Sequence, residues 1–308
     1  MSTHWVGVFA ALITGASWGV VGPFGRLLAL RGADMVTVVI LRTFLTAAIL
    51  FAWLFLRERQ ALRISFRDSL PLLFYAVLAV PLTSTGFLYS LKYLTVPAAL
   101  IIHYTFPLAT LLGGLWITRE KPTTLQYLAA FLVILGVWTG IFASDASDVG
   151  FSLLGVFWGV VAVIGLSGQF ILGRALISKK RFSGVPLLLY SNVFGGLFMV
   201  VIKHFLSGWS DLALLESLDW YSIVIMSVVG SVLGHGAYCF SLRFISAATA
   251  SHLCTVEILT GIALAGFMNH EIPTLREING SLLILLAIFL AALPGDIFSR
   301  LRKEKIAL

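Results

Sequence analysis

Charge is what this sequence has least of. Of its 308 residues only 11% are Asp, Glu, Lys or Arg, against roughly 25% in a soluble domain, while 59% are hydrophobic and the mean hydropathy is +0.99. So little charge cannot cover a water-facing surface, which excludes a soluble globular protein and leaves one that lives in lipid. Cysteine is scarce as well. Cys239 and Cys254 both lie in apolar runs and imply no disulfide framework. Alternating ten-residue strands are missing, which argues against a β-barrel. In their place stand apolar runs of about 20 residues, the length that carries an α-helix across hydrocarbon. The first run has neither a basic leader nor a small-residue cleavage site, so it is expected to be a retained helix rather than a signal peptide. No His-Glu-x-x-His or paired-aspartate motif suggests an enzyme, which leaves a membrane-embedded enzyme as a distant alternative.

The expected fold is all-α and integral to the membrane, with ten transmembrane helices: segments 1 to 10 at Val6–Leu28, Met35–Leu56, Ser69–Ser90, Pro97–Thr118, Thr124–Phe142, Phe151–Arg174, Val185–Leu206, Asp219–Leu242, Ala247–Met268 and Glu277–Phe298. The positive-inside rule orients them. With a cytoplasmic N-terminus, the inner connections and the tail hold fifteen Lys or Arg: Arg57, Arg59, Arg63, Arg67, Arg119, Lys121, Arg174, Lys179, Lys180, Arg181, Arg243, Arg300, Arg302, Lys303 and Lys305. The outer connections hold only Arg31, Lys92 and Arg276. Both termini are therefore expected in the cytoplasm of a multi-pass plasma (inner) membrane protein. The net charge of +7 reads as orientation and contact with anionic lipid, with no nucleic-acid partner required.

The chain also repeats itself. YSLKYLTVPAALIIHYTFPLATLLGGLWITREKPT from Tyr89 aligns without a gap on FSLRFISAATASHLCTVEILTGIALAGFMNHEIPT from Phe240, and the first helices align more loosely through Gly25-Arg26 and Gly173-Arg174. Two units are expected, residues 1–148 and 149–308, of five helices each. Five is odd, so the second unit enters the membrane upside down. Inverted repeats of this kind are a transporter architecture, with the substrate site near mid-bilayer between the halves.

With ASWGVVGPF in segment 1, ILRTFLTAAIL in segment 2 and the two repeated stretches in this order, the chain resembles the drug/metabolite transporter superfamily and its EamA-type exporters. The resemblance covers nearly the whole chain. It implies a secondary transporter that exports small metabolites, often amino acids, by rocking about a central cavity, with no cofactor. Many relatives carry Glu-Pro in segment 9, where this chain has Glu257-Ile258; the kink that proline would provide is expected to be absent, while Pro107 keeps the mirrored position in segment 4.

Candidate site residues are the polar and aromatic groups in lipid-length runs, where a charge costs roughly 3 kcal/mol or more. Glu257, near the middle of segment 9, reads as a proton-coupling or amine-binding group, or as a carboxylic acid that locks two helices. His252 lies about 140° round the same helix, five residues away, so it guards the inner mouth or bonds a neighbouring backbone. His103 and Tyr104 stand beside Pro107, which frees the carbonyl of His103, and read as a substrate or proton site. His235 and Cys239 have a spacing that could hold a metal with Cys254 and His252, but small buried cysteines are common and no metal is expected. Trp18, Tyr89, Tyr104, Trp158 and Tyr238 could form an aromatic cavity. Arg42 reads as snorkelling or as part of a structural pair, with carboxylate binding a lesser alternative. Gly22-Pro23 and Pro107 are expected hinges, and Gly230-x-x-x-Gly234 and Gly136-x-x-x-Gly140 packing faces. Few cations lie inside the segments, which favours neutral or aromatic amino acids over phosphorylated substrates. Efflux of cationic or aromatic drugs is the rival. Monomer and homodimer both remain open.

Overall fold

A computed structural model describes residues 3–93, 102–117, 122–141, 153–178, 182–269 and 275–293. The 148/149 boundary, Pro97, Arg119, Lys121, Lys179, Lys180, Arg181 and the basic tail lie outside the described residues. Among those described, every regular element is a helix. Five helical stretches are long and apolar enough to cross a membrane: Thr3–Gly25, Met35–Arg57, Leu153–Ile177, Gly184–Leu206 and Ser217–Ser241. Shorter apolar helices fill Ser69–Thr85, Phe106–Ile117, Thr124–Gly136 and Ile278–Ala291. Large hydrophobic side chains such as Phe9, Trp53, Phe74, Trp116 and Phe131 point outward, as they must where the solvent is hydrocarbon.

Helix ends follow local chemistry. Segment 2 is the helix Met35–Arg57, started by Asp34, whose side chain accepts from the Val36 N–H at 2.8 Å. The helix Ser217–Ile225 opens segment 8 with a reciprocal capping box between Glu216 and Asp219. Ser246 caps the first half of segment 9, accepting from the Thr249 N–H at 3.1 Å.

The interruptions inside the segments are more informative. Segment 1 is two helices, Thr3–Trp18 and Val21–Leu30. The break lies at Gly19-Val20, upstream of the expected hinge at Gly22-Pro23, because Pro23 sits in the first turn of the second helix and cannot bond the Gly19 carbonyl four residues back. Segment 4 turns at Tyr104-Thr105 and resumes as Phe106–Ile117, again with the proline, Pro107, in the new first turn. Segment 9 corrects the expectation from its missing proline. It too is broken, into Ala247–Cys254 and Val256–Asn269, with Thr255 between them. Thr255 bonds backward in place of a proline: its N–H reaches the His252 carbonyl at 3.2 Å and its hydroxyl the Ser251 carbonyl at 3.2 Å. In the repeat register Thr255 is the counterpart of Tyr104 (104 + 151 = 255), so segments 4 and 9 break at the same place. Segments 3 and 8 share a feature as well: each contains a π-helical stretch, Leu78–Thr85 and Met226–His235. Such stretches are rare and gather at functional sites.

Packing pairs segment 2 with 7 and 5 with 10, while segment 1 lies on 8 and 9, and segment 6 on 3 and 4. The last two groupings are each other's counterparts in the repeat. Glycine allows the closest approaches. A Cβ on Gly86 would stand 2.7 Å from the Ala162 nitrogen and 2.9 Å from the Trp158 carbonyl oxygen, one on Gly165 2.7 Å from the Thr83 nitrogen, and one on Gly234 2.8 Å from the Trp18 ring. The Gly230-x-x-x-Gly234 face therefore packs on segment 1, against Val21 and Trp18. Gly136 packs on segment 10, where an added Cβ would stand 2.8 Å from the Gly280 carbonyl oxygen.

At one end of the bundle, charges tie the connection between segments 1 and 2 to that between 7 and 8. Arg31 pairs with Asp219 at 2.6 Å and with Glu216; Lys203 pairs with Asp34 at 2.7 Å and Asp211 at 3.1 Å; the Thr37 hydroxyl donates to Asp211. Burial pushes the Asp211 carboxyl up, but the bonds from Thr37 and Lys203 outweigh it and hold it below the usual 3.8. A carboxyl held low in the folded state contributes stability above its unfolded value and loses it as the pH falls through the folded one. The protein is therefore expected to lose stability between about pH 5 and about pH 3, and Asp211→Asn to flatten that acid limb. Parallel acid limbs in melts of wild type and variant would overturn the assignment.

Candidate functional site

Between the packed segments lies a small, partly open cavity. Its polar wall is Arg42 from segment 2, Ser84 from 3, Gln169 from 6, Ser191 and Asn192 from 7, and His235 from 8. Local helix geometry puts two of these groups inward. The π-helical stretches of segments 3 and 8 end beside Ser84 and His235, and the extra residue per turn rotates those side chains off the surrounding α-helical faces. The two are repeat counterparts (84 + 151 = 235), and both line this cavity.

An aromatic cluster closes one side. The Trp18 indole nitrogen lies 3.1 Å from Nδ1 of His235, and the Gly230 carbonyl oxygen lies 3.3 Å from the same ring nitrogen. Trp18 also meets Phe170 and Tyr238, with centroids 6.1 and 6.0 Å away. Phe170 continues to Phe106 at 5.5 Å, and Phe106 to His103 at 6.2 Å. Trp18 therefore touches the cavity wall through His235. Tyr238 is fully buried, its hydroxyl donating to the Gln169 carbonyl at 2.8 Å, so it backs the wall rather than facing the space. Tyr89 and Trp158 form a separate pair, centroids 5.1 Å apart, away from this wall.

His103 packs on Phe87 at 4.6 Å, and its Nδ1 is buried without a hydrogen-bond partner among the described residues. Such a group is expensive in a native structure. Glu257 is half-buried in the first turn of the helix Val256–Asn269, where the helix dipole favours an anion. It interacts through space with Arg42, Tyr104 and Cys254. His252 is fully buried, its Nδ1 2.6 Å from the Ala248 carbonyl, the backbone contact of its two readings. Among the described residues no three His, Cys, Asp or Glu side chains gather to hold a metal. The Cys254 thiol donates to the Ala11 carbonyl at 3.6 Å, and Cys239 packs against Gly184. Gly15-x-Ser17-x-Gly19 has the spacing of a hydrolase nucleophile turn, but here it lies in a helix packed on segment 9, with Ser17 buried and no strand before it.

Several cavity residues escaped the sequence reading, among them Gln169, Ser191 and Asn192. The signal for two of them was present, because Ser191-Asn192 lie at the repeat distance from Arg42-Thr43 (42 + 149 = 191), close to the 148 and 151 of the flanking segments. Arg42 was read mainly as structural, and the structure puts it in the cavity wall.

The model of the EamA-like transporter family matches this chain twice, at residues 5–141 and 153–293. The chain belongs to the EamA-like transporter family. It is 22% identical to the uncharacterized inner membrane transporter YhbE of Escherichia coli over 313 residues, covering 97% of this chain and 95% of that one. It is 21% identical to the uncharacterized inner membrane transporter YicL of Salmonella typhimurium, covering 74% and 75%, and 23% identical to the uncharacterized transporter YetK of Bacillus subtilis, covering 75% and 70%. A solved crystal structure superimposes with a TM-score of 0.73 at 14% identity, covering 94% of this chain and 96% of its own, which establishes the likeness of fold.

Proposed function

We propose that this protein is a secondary transporter of the inner membrane that exports small metabolites, neutral or aromatic amino acids first among them, by alternating access. In this reading the halves 1–148 and 149–308 are five-helix inverted repeats, both termini are cytoplasmic, and the site residues are Trp18, His103, Tyr104, His235 and Glu257. The observation that carries it is a polar cavity walled by segments of both halves, in a fold whose segments 4 and 9 are broken at corresponding positions. A discontinuous helix at mid-membrane turns its free N–H or C=O groups toward a ligand, and the breaks are where segments bend as the halves rock. Membership of a transporter family and relatives named as inner membrane transporters support the same class.

The test is flux. Purified protein in liposomes is expected to move labelled neutral amino acids, and Glu257→Gln to cut that movement at least tenfold without unfolding the protein. No flux over a broad substrate panel, with or without a pH gradient, would sink the transport reading. Undiminished flux in Glu257→Gln with an unchanged pH dependence would make the carboxyl structural.

A further inference from the structure

Arg42 is in an unusual position. It lies in the apolar helix Met35–Arg57, yet its side chain forms part of the cavity wall. Among the described residues no carboxylate stands within 4.0 Å of it and no side chain or carbonyl accepts from its guanidinium. Its counter-charge is Glu257, which acts on it only through space. Arg42 is half-buried, with its side chain on the cavity, and in a membrane segment such residues mark substrate paths.

The groups around it suit an anion. Ser84 has no hydrogen-bond partner among the described residues, so its hydroxyl is free to donate. Asn192 uses one amide N–H on the Leu188 carbonyl at 2.8 Å and keeps the other. Guanidinium matches a planar carboxylate with two parallel hydrogen bonds. Glu257, in the first turn of the helix Val256–Asn269, acts on Arg42 through space.

We propose that Arg42 is the residue that reads a substrate carboxylate, so that the cavity accepts small zwitterions, carboxylate on Arg42 and ammonium toward Glu257, and rejects amines that lack the carboxylate. This rests on the cavity being the transport site, and it goes beyond that reading by naming the head group and the residue that selects it. It also separates amino acids from cationic drugs. A lone cation brings no carboxylate for Arg42 to bind and is repelled by its charge.

Two matched sets of probes test this on the full-length protein in detergent: L-phenylalanine, 2-phenylethylamine and 3-phenylpropionate, then L-leucine, 3-methylbutylamine and 4-methylpentanoate. Binding is read by thermal shift and intrinsic fluorescence. For wild type, the amino acid of at least one set is expected to bind, its carboxylate analogue to retain part of the affinity, and its amine to bind at least tenfold more weakly. Arg42→Met is expected to lower amino-acid affinity at least tenfold, to the level of the amine, and Arg42→Lys to recover only a fraction because ammonium lacks the planar fork. An amine that binds wild type as tightly as its amino acid would overturn the inference and leave the transport reading intact. Unchanged amino-acid affinity in a folded Arg42→Met would overturn it as well. If that variant does not fold, the wild-type sets decide alone. Binding of none of the six probes would overturn the amino-acid reading itself, and this inference with it.

Discussion

Replacing Lys203 by alanine is expected to cost about 3 kcal/mol of stability. Its side chain is 0% exposed and lies between Asp34 at 2.7 Å and Asp211 at 3.1 Å, with the Trp209 ring 5.6 Å from the ammonium. Removing the cation leaves two carboxylates facing each other with no counter-charge, which is the costly way to break a buried pair. The loss falls at the lower end of the usual range because both carboxylates keep some contact with solvent. The Asp34 carboxylate also caps segment 2, so the damage spreads into that helix start. Unfolding of the detergent-solubilised protein, followed by fluorescence, measures the change. Adding Asp34→Asn to Lys203→Ala is expected to restore part of it by removing one orphaned charge. A single variant within about 0.5 kcal/mol of wild type would mean that the clamp contributes no more than an ordinary surface pair.

Gly86→Val is the second large effect. Valine at this position places its Cβ against the Ala162 nitrogen and the Trp158 carbonyl, main-chain atoms that cannot swing aside. Segment 6 must then move off segment 3. Overpacking of this kind costs about 1–3 kcal/mol and more where backbone has to shift. Gly15 makes the comparable approach to the Cys254 carbonyl of segment 9, so Gly15→Val is expected to resemble Gly86→Val. Gly236 is the internal control. Nothing stands within 4 Å of the place its Cβ would take, and Gly236→Ala is expected to be neutral or mildly stabilising as the better helix former. Melting and flux measured on all three variants check this. Equal effects at Gly86 and Gly236 would show that close packing of segments 3 and 6 does not matter.

How far the sequence reached differs between residues. Lipid-length apolar segments were legible from composition, and among the described residues five of the ten expected coincide with helices long and apolar enough to span. The Ser84–His235 correspondence was legible from the repeat alone. The break at Thr255 was not, because the usual proline is missing and a threonine that turns back on its own helix looks like any polar residue in a helix. Lys203 was not legible either: three residues from the end of its helix, it reads as a side chain that reaches for the surface. The structure buries it because Asp34, from the distant connection between segments 1 and 2, converges there with Asp211 of the connection that follows its own helix.

What the sequence determined by itself is therefore class and plan: an all-helical membrane chain in which two stretches are copies of each other. Both follow from local quantities, since hydrophobicity adds up along a segment and a repeat is found by comparing the chain with itself. What only the tertiary structure decided is which side of each helix faces the cavity, and with it the reading of Arg42, Gln169 and Asn192. Hydrophobic period cannot supply that. Lipid and protein interior are both apolar, so the rotation of a membrane helix about its axis is set by the neighbours it packs against, glycine against backbone and charge against charge.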